Sequence, residues 1–264
     1  LIALGVLIVL QKMLLNEAQL EAWGWRIPFA VGAALALIAL YVRRHIAETE
    51  SFEKSKDESR GRVWTLLKKH PWQALQVVGL TMGGTLAFYT YTTYMQKFLV
   101  NTSSFSKEAA TAISAVTLLI YMALQPVFGA LSDRVGRKPL LIGFGVAGTL
   151  LTVPIMHGIA GTHDVWTAGG LILLALVIVS GYTAINAVVK AELFPAGVRA
   201  LGVALPYAVA VSLFGGSAEY VALWLKQAGH ETAFFWYVSF CIFLSLLVYV
   251  FTADTRKTSA FQTE

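Results

Sequence analysis

Charged residues and cysteine are scarce in this 264-residue sequence. Charged side chains make up 13% of the residues, whereas hydrophobic side chains make up 57%. Soluble domains contain roughly one quarter charged residues, so this composition excludes an ordinary soluble fold. The single cysteine, Cys241, has no partner for an internal disulfide, and no Cys/His cluster suggests a metal. We therefore expect a membrane protein without a metal site or a cofactor, in which Cys241 is a small buried apolar residue.

Strand periodicity is also missing, and the apolar residues occur in long runs instead. A spanning helix needs roughly 20 mostly apolar residues. We predict an all-α membrane protein with about seven complete transmembrane helices plus part of one more. The apolar runs contain no group of Ser, His, Asp or Glu residues placed as in a catalytic site, so we do not expect the protein to be an enzyme. The predicted spans are 25–41, 72–99, 109–131, 140–157, 166–189, 200–225 and 232–251.

The apolar opening, residues 1–10, is too short to cross a bilayer. It lacks the initiating Met, the basic leader and the small-residue cleavage site of a signal peptide. We interpret it as the second half of a spanning helix. The chain is therefore expected to be the later part of a longer protein.

The placement of the basic residues predicts the orientation of the chain. The formal net charge is +5, and fifteen of the 20 Lys and Arg residues lie in one alternate set of loops. Cytoplasmic loops carry the excess of Lys and Arg, so this set and the C-terminus are predicted to be cytoplasmic. The basic charge is a topology signal and does not indicate nucleic-acid binding. The residues predicted on the other side are Lys12, Arg26, Lys97, Lys107 and Lys226.

The one long polar stretch, 44–71, mixes both signs of charge and predicts a cytoplasmic linker between two helical bundles. Within it, the segment 63–69 has two interpretations. It is either a short helix at the membrane surface, with Trp64 facing lipid, or a plain solvated linker.

A charge-dense turn between the third and fourth predicted spans reads GALSDRVGRK, from Gly129 to Lys138. It resembles the signature loop of the major facilitator superfamily, Gly-x-Leu-x-Asp-Arg-x-Gly-Arg-Arg/Lys. An ordinary positively charged loop does not account for Gly129, Asp133 and Gly136 together. Further segments resemble the metabolite:proton symporter branch of that superfamily. They are AWGWRIPFAVGA (22–33), FYTYTTYMQKFLVNT (88–102), KAELFPAGVRALGV (190–203), FGGSAEYVAL (214–223) and ETAFFWYV (231–238).

The resemblance implies a fold of two six-helix halves, of which this chain would hold helices five to twelve. Residues 1–43 would then end the N-terminal bundle with part of helix five and helix six. The linker would occupy 44–71, the C-terminal bundle of helices seven to twelve 72–252, and a cytoplasmic tail 253–264.

The implied function is proton-coupled import of a small organic acid across a bacterial inner membrane by alternating access. The resemblance favours alpha-ketoglutarate as substrate. Permeases for shikimate, citrate or proline/betaine share the branch and stay open as alternatives, as does a non-transporting sensor on the same fold. The expected partners are the organic acid, a proton and the lipid bilayer. The N-terminal half is expected to be needed for a complete site and to hold the main cationic anchors.

The superfamily's signature loop is a conformational latch, and the segment E-x-F-P-x-x-x-R resembles a second loop of the same face. We expect Gly129 to permit close helix approach and Gly136 to permit the turn. The charged members are expected to form an ion-pair network. The alternatives are a pure topology signal and independent solvated charges. The predicted latch comprises Gly129, Asp133, Arg134, Gly136, Arg137, Glu192 and Arg199.

Helices seven and ten line the cavity in this superfamily, and both carry polar residues at helical spacing. Such residues are costly in a membrane and usually face the bundle or water. They are expected either to hydrogen-bond the substrate or to hold helices together. Lys97 and Lys190 lie near opposite helix ends and are predicted to snorkel. The candidate substrate-binding residues are Tyr89, Thr93, Gln96, Tyr182 and Asn186.

Glu219 is the one acidic residue inside an apolar run. It follows Ala200 by 19 residues, about 28 Å along a helix, which places it near the outer interface. Two interpretations stay open, a protonation site for coupling and a member of an interfacial ion pair.

Overall fold

The computed structural model describes residues 5–6, 9–45, 66 and 68–252. These residues belong to two compact units, Leu1–Lys54 and Ser55–Glu264, which we call the first and the second unit. Every regular element in the described ranges is helical, which confirms the predicted all-α class.

Some predictions from the sequence lie outside the described residues. They concern part of the opening stretch 1–10, most of the linker 44–71 with its segment 63–69, and the tail 253–264.

The first unit contains one long helix preceded by short ones. Asn16 begins helix α1 with a capping box, in which its Oδ1 accepts from the Gln19 N–H at 2.8 Å and its own N–H donates to Gln19 Oε1 at 3.2 Å. The predicted span 25–41 lies within a helical stretch apolar enough to cross a membrane. The elements are a π turn at Leu10–Leu14, α1 at Glu17–Ala22, a 3₁₀ turn at Gly24–Arg26 and α2 at Ile27–His45.

The second unit runs up and down six times. Two of its passages contain a π turn, Thr90–Tyr94 and Val211–Gly215. The helices are α3 Pro71–Tyr89, α4 Met95–Asn101, α5 Lys107–Val135, α6 Arg137–Ala160, α7 Val165–Thr183, α8 Asn186–Glu192, α9 Ala196–Ala210, α10 Ala218–Gln227 and α11 Glu231–Phe251.

Six helical stretches of the described chain are long and apolar enough to cross a membrane, one in the first unit and five in the second. The predicted span 72–99 is helical as well, but it is not among them. This passage is rich in threonine, and Thr81 and Thr90 are fully buried. Their hydroxyls donate to the carbonyls of Val77 and Leu86, four residues earlier. Such a helix suits the interior of a bundle better than a lipid-facing position.

Helix packing in the second unit places α3 in the middle. Helix α3 packs against α9 and α11, α6 packs against α7 and α11, and α5 packs against α7. At Gly83 the contact is so close that a Cβ would lie 2.6 Å from the Cys241 carbonyl oxygen. Ser245 joins the same two helices, because its Oγ accepts from the Gly83 N–H at 2.8 Å and donates to the Gly79 carbonyl at 2.6 Å. Small residues and hydroxyls of this kind hold membrane helices together.

The two ends of the second unit are distinguished by their turns. One end, which we call the Gly136 end, carries Gly136 and the turn at 193–195. The opposite Gly161 end carries the turns at 102–106, 161–164 and 228–230.

Candidate functional site

The turn between α5 and α6 depends on Gly136. Its φ is +95°, a conformation that side chains rarely adopt, so the predicted role of this glycine in the turn is confirmed. Gly129 differs from the prediction, because a Cβ there would meet nothing within 4 Å among the described residues. Gly129 is therefore not at a close helix approach within the described part of the second unit.

The Gly136 end holds an ion pair between Arg137, the first residue of α6, and Glu192, the last residue of α8. The Glu192 side chain is 5% exposed, and its Oε2 has no hydrogen-bond partner among the described residues. Asp133 and Arg134 are exposed, and neither pairs with a residue that the structure describes. Arg199 donates from Nε to the Phe194 carbonyl at 3.0 Å. Of the residues expected in a network, the structure thus brings Arg137 and Glu192 together.

The candidate substrate residues of the α3–α4 passage do not form one cluster. Tyr89 packs on the α9–α10 passage, where a Cβ at Gly215 would lie 2.7 Å from its ring. Thr93 is exposed, and Gln96 donates from Nε2 to Thr111 Oγ1 on α5 at 2.7 Å. The π turn between Tyr89 and Gln96 widens the helix, so their spacing no longer fixes a shared face.

The candidates Tyr182 and Asn186 meet around a buried lysine. Lys190 is 1% exposed, and its Nζ donates to Tyr182 Oη at 3.2 Å and to Asn186 Oδ1 at 3.0 Å. The Tyr207 ring on α9 lies against the same Nζ, 4.2 Å from the ring centre. The predicted snorkelling of Lys190 is therefore wrong, because its side chain runs into the bundle instead of out to the membrane surface. Sequence position alone did not show that α9 covers this lysine.

Hydrogen bonds extend from this lysine cluster to α5. Asn186 Nδ2 donates to the Thr183 carbonyl at 2.9 Å. The Thr183 hydroxyl accepts from Tyr121 Oη at 2.6 Å and donates to Gln125 Oε1 at 3.0 Å. Tyr121 and Gln125 were not among the residues predicted from the sequence. A glutamine inside an apolar run was the available signal, because such a side chain needs a polar partner.

Glu219 lies at the other end of the bundle and forms an ion pair with Lys97. The pair joins α4 to α10, just beyond the two π turns. The Lys97 side chain is 54% exposed and the Glu219 side chain 33% exposed. Nearby, Lys226 pairs with Glu231 at 3.2 Å. The structure thus contains an ion pair of the kind that the second interpretation of Glu219 predicts.

Comparison of the sequence with known proteins identifies its family. Residues 13–218 match the Major Facilitator Superfamily. The chain is 48% identical to the alpha-ketoglutarate permease of Escherichia coli strain K12, over 94% of this chain and 57% of that protein. It is 30% identical to a glycine betaine/proline/ectoine/pipecolic acid transporter of Dickeya dadantii, over 95% of this chain and 52% of that protein.

A citrate-proton symporter of Salmonella typhi is 28% identical, over 85% of this chain and 52% of that protein. These relatives are transporters and not enzymes, and the chain spans about half the length of the curated relatives it matches. No solved structure shows significant similarity to the chain. The match over most of its length means that the chain belongs to the major facilitator superfamily.

Proposed function

We propose that the complete protein is a proton-coupled symporter that imports alpha-ketoglutarate across a bacterial inner membrane by alternating access. The observation that carries this proposal is the 48% identity to an alpha-ketoglutarate permease, spread over 94% of the chain. Relatives at 28–30% identity are named for betaine, proline and citrate, so another organic acid or zwitterion is the second candidate.

The polar cluster on α7 and α8 supports an anionic substrate. Tyr182, Asn186 and Lys190 form one hydrogen-bonded group inside the bundle. Polar and ionisable side chains at such a depth commonly mark a substrate or ion pathway. We assign Tyr182 and Asn186 to the substrate site through this cluster, and we keep Tyr89, Thr93 and Gln96 as further candidates on the α3–α4 passage.

The proposed latch works at the Gly136 end, which the placement of the basic residues predicts to be cytoplasmic. Arg137 and Glu192 tie the start of α6 to the end of α8. Asp133 and Arg134 are exposed on the preceding turn, and we keep them as members of the proposed latch. Opening and closing of this contact would accompany alternating access.

Proton coupling has two possible relations to Glu219. If Glu219 carries the proton, Glu219→Gln abolishes proton-driven uptake while exchange of internal for external substrate continues. If Glu219 serves only its ion pair with Lys97, both activities change together and by a similar factor. Measuring uptake and exchange side by side in the same vesicles separates the two roles.

The test of the proposed function is uptake of labelled alpha-ketoglutarate by cells that lack their own permease and express the complete protein. We expect uptake above that of empty cells, and its loss when a protonophore is added. Excess unlabelled proline should not compete, whereas unlabelled alpha-ketoglutarate should. Absence of alpha-ketoglutarate uptake by correctly inserted protein, with uptake of labelled proline or citrate instead, would overturn the proposed substrate and favour the second candidate.

A further inference from the structure

The amino group of Lys190 is buried, and its neighbours among the described residues are neutral groups. Its side chain is 1% exposed and pairs with no carboxylate among the residues that the structure describes. Its neighbours are Tyr182 Oη, Asn186 Oδ1 and the ring of Tyr207. Buried charges are usually paired with an opposite charge, because removal from water is costly. A buried amino group with no carboxylate partner among the described residues is therefore a place where an anion would bind, because the anion would supply the missing opposite charge.

The direction of the side chain carries its charge away from the Gly136 end. Lys190 is two residues from the end of α8, yet its Nζ reaches Asn186 and Tyr182, which lie four and eight residues earlier in the chain. The four residues from Asn186 to Lys190 belong to one helix and correspond to about 6 Å along its axis. The ammonium group thus lies deeper in the span than the Lys190 backbone, towards the level at which transporters of this kind hold their substrates.

The third N–H of the ammonium group meets a weaker partner than the other two. Lysine has three donors, and oxygens of Asn186 and Tyr182 accept two of them. The remaining side faces the Tyr207 ring, 4.2 Å away at its centre. Tyr207 as a whole is 41% exposed, whereas Lys190 is 1% exposed, so Tyr207 separates the ammonium group from the surface of the second unit. Rotation of the Tyr207 side chain would open that side of the ammonium group.

We propose that Lys190 binds one carboxylate of a dicarboxylate substrate, which takes the place of the Tyr207 ring on the ammonium group. Asn186 and Tyr182 hold the ammonium in position, and the freed N–H donates to the carboxylate oxygen. A charged carboxylate accepts such a bond more strongly than a ring face does. This inference rests on the proposed function, and it assigns a specificity-determining role to Lys190 for the second carboxylate.

The experiment compares two competitors of labelled alpha-ketoglutarate uptake by the complete protein. One is unlabelled alpha-ketoglutarate, and the other is 2-oxopentanoate, which has a methyl group in place of the distal carboxylate. In the wild type we expect alpha-ketoglutarate to inhibit about 30-fold or more better than 2-oxopentanoate, as expected for a buried charged hydrogen bond. Lys190→Met should bring the two inhibition constants within about threefold of each other. Lys190→Arg, which keeps the charge, should retain part of the preference.

Lys107→Met is the matched control, because Lys107 is an exposed residue at the start of α5. It should keep the wild-type ratio of inhibition constants. The apparent Tm of each purified variant reports on folding, and Lys190→Met should lower it by no more than the loss of two hydrogen bonds implies, because the Tyr182 and Asn186 oxygens lose their donor.

Three outcomes would overturn the inference. If Lys190→Met still takes up substrate and keeps the wild-type ratio of the two inhibition constants, Lys190 does not bind the carboxylate, and the proposed function is unaffected. A lower maximal uptake rate of Lys190→Met with an unchanged ratio of inhibition constants also contradicts the inference, and it indicates that Lys190 carries a proton instead. If the wild type transports proline or betaine and no organic acid, the proposed function and the inference fail together.

Discussion

Replacing Arg137 by methionine should destabilise the protein, because it leaves the buried carboxylate of Glu192 without its partner. The Glu192 side chain is 5% exposed and the Arg137 side chain 21% exposed. Breaking a buried ion pair by removing one partner costs about 3–5 kcal/mol. Partial exposure of Arg137 favours the low end, about 3 kcal/mol, because water screens part of the interaction.

The assay is thermal unfolding of the purified protein in one detergent, followed by the helical circular dichroism signal. For a unit of this size, about 3 kcal/mol corresponds to a fall of roughly 6–12 °C in the apparent Tm. Arg134→Met is the matched control, since Arg134 lies three residues earlier, is exposed and pairs with no described residue. Its effect should stay within about 0.5 kcal/mol.

A double variant isolates the pair itself. Arg137→Met with Glu192→Met removes both charges and should recover much of the lost stability, because two apolar groups replace a buried ion pair. The reasoning is refuted if Arg137→Met lowers the Tm no more than Arg134→Met does. It is also refuted if the double variant loses the sum of the two single effects.

The remaining predictions concern a tight helix contact and a helix cap. Gly83→Ala should lower the free energy of unfolding by about 1–3 kcal/mol through overpacking, because the new Cβ would lie 2.6 Å from the α11 backbone. The higher helix propensity of alanine offsets up to about 1 kcal/mol of this loss. Gly143→Ala, whose Cβ would meet nothing within 4 Å among the described residues, should raise the apparent Tm, so equal effects of the two variants would contradict the packing. The hydroxyl and the backbone N–H of Thr167 donate to Asp164 and hold the pKa of that carboxyl below its ordinary value. The stability that this cap contributes is therefore fully present above the ordinary pKa of aspartate. It is lost as the pH falls through the lowered pKa of Asp164. The difference in Tm between the wild type and Asp164→Asn should accordingly shrink in acid. A pH-independent difference would speak against a charged cap.

The predicted spans illustrate what local pattern can show. Six of the seven lie in helical stretches that are apolar enough to cross a membrane, since burial in lipid demands an apolar run whatever the neighbouring helices are. The seventh, 72–99, is helical but contains more hydroxyl side chains, and much of it is buried against other helices, so lipid does not set its composition. The turn at Gly136 was likewise predictable, because a positive φ is a local demand that glycine meets most easily.

The partners of polar side chains inside the spans could not be predicted from local sequence pattern. The sequence indicates that Gln96 and Tyr121 need partners in a membrane, but the partners Thr111 and Thr183 are 15 and 62 residues away. The spacing of Tyr89, Thr93 and Gln96 predicted one face, and the π turn removed that register. Periodicity assumes a regular helix, so it fails where a bundle contact widens the helix.

Composition and short motifs were enough to predict the membrane class, the approximate spans, the glycine turn and the family, because each depends on overall composition or on a few neighbouring residues. The environment of the charges depends instead on how the helices pack. Lys190 near a helix end could reach the membrane surface or the bundle interior with the same local sequence. Tyr207, on another helix, covers its ammonium group, and Tyr182 and Asn186 supply its acceptors. The free energy of a charge depends on everything within a few ångströms of it, and those neighbours are set by helix packing.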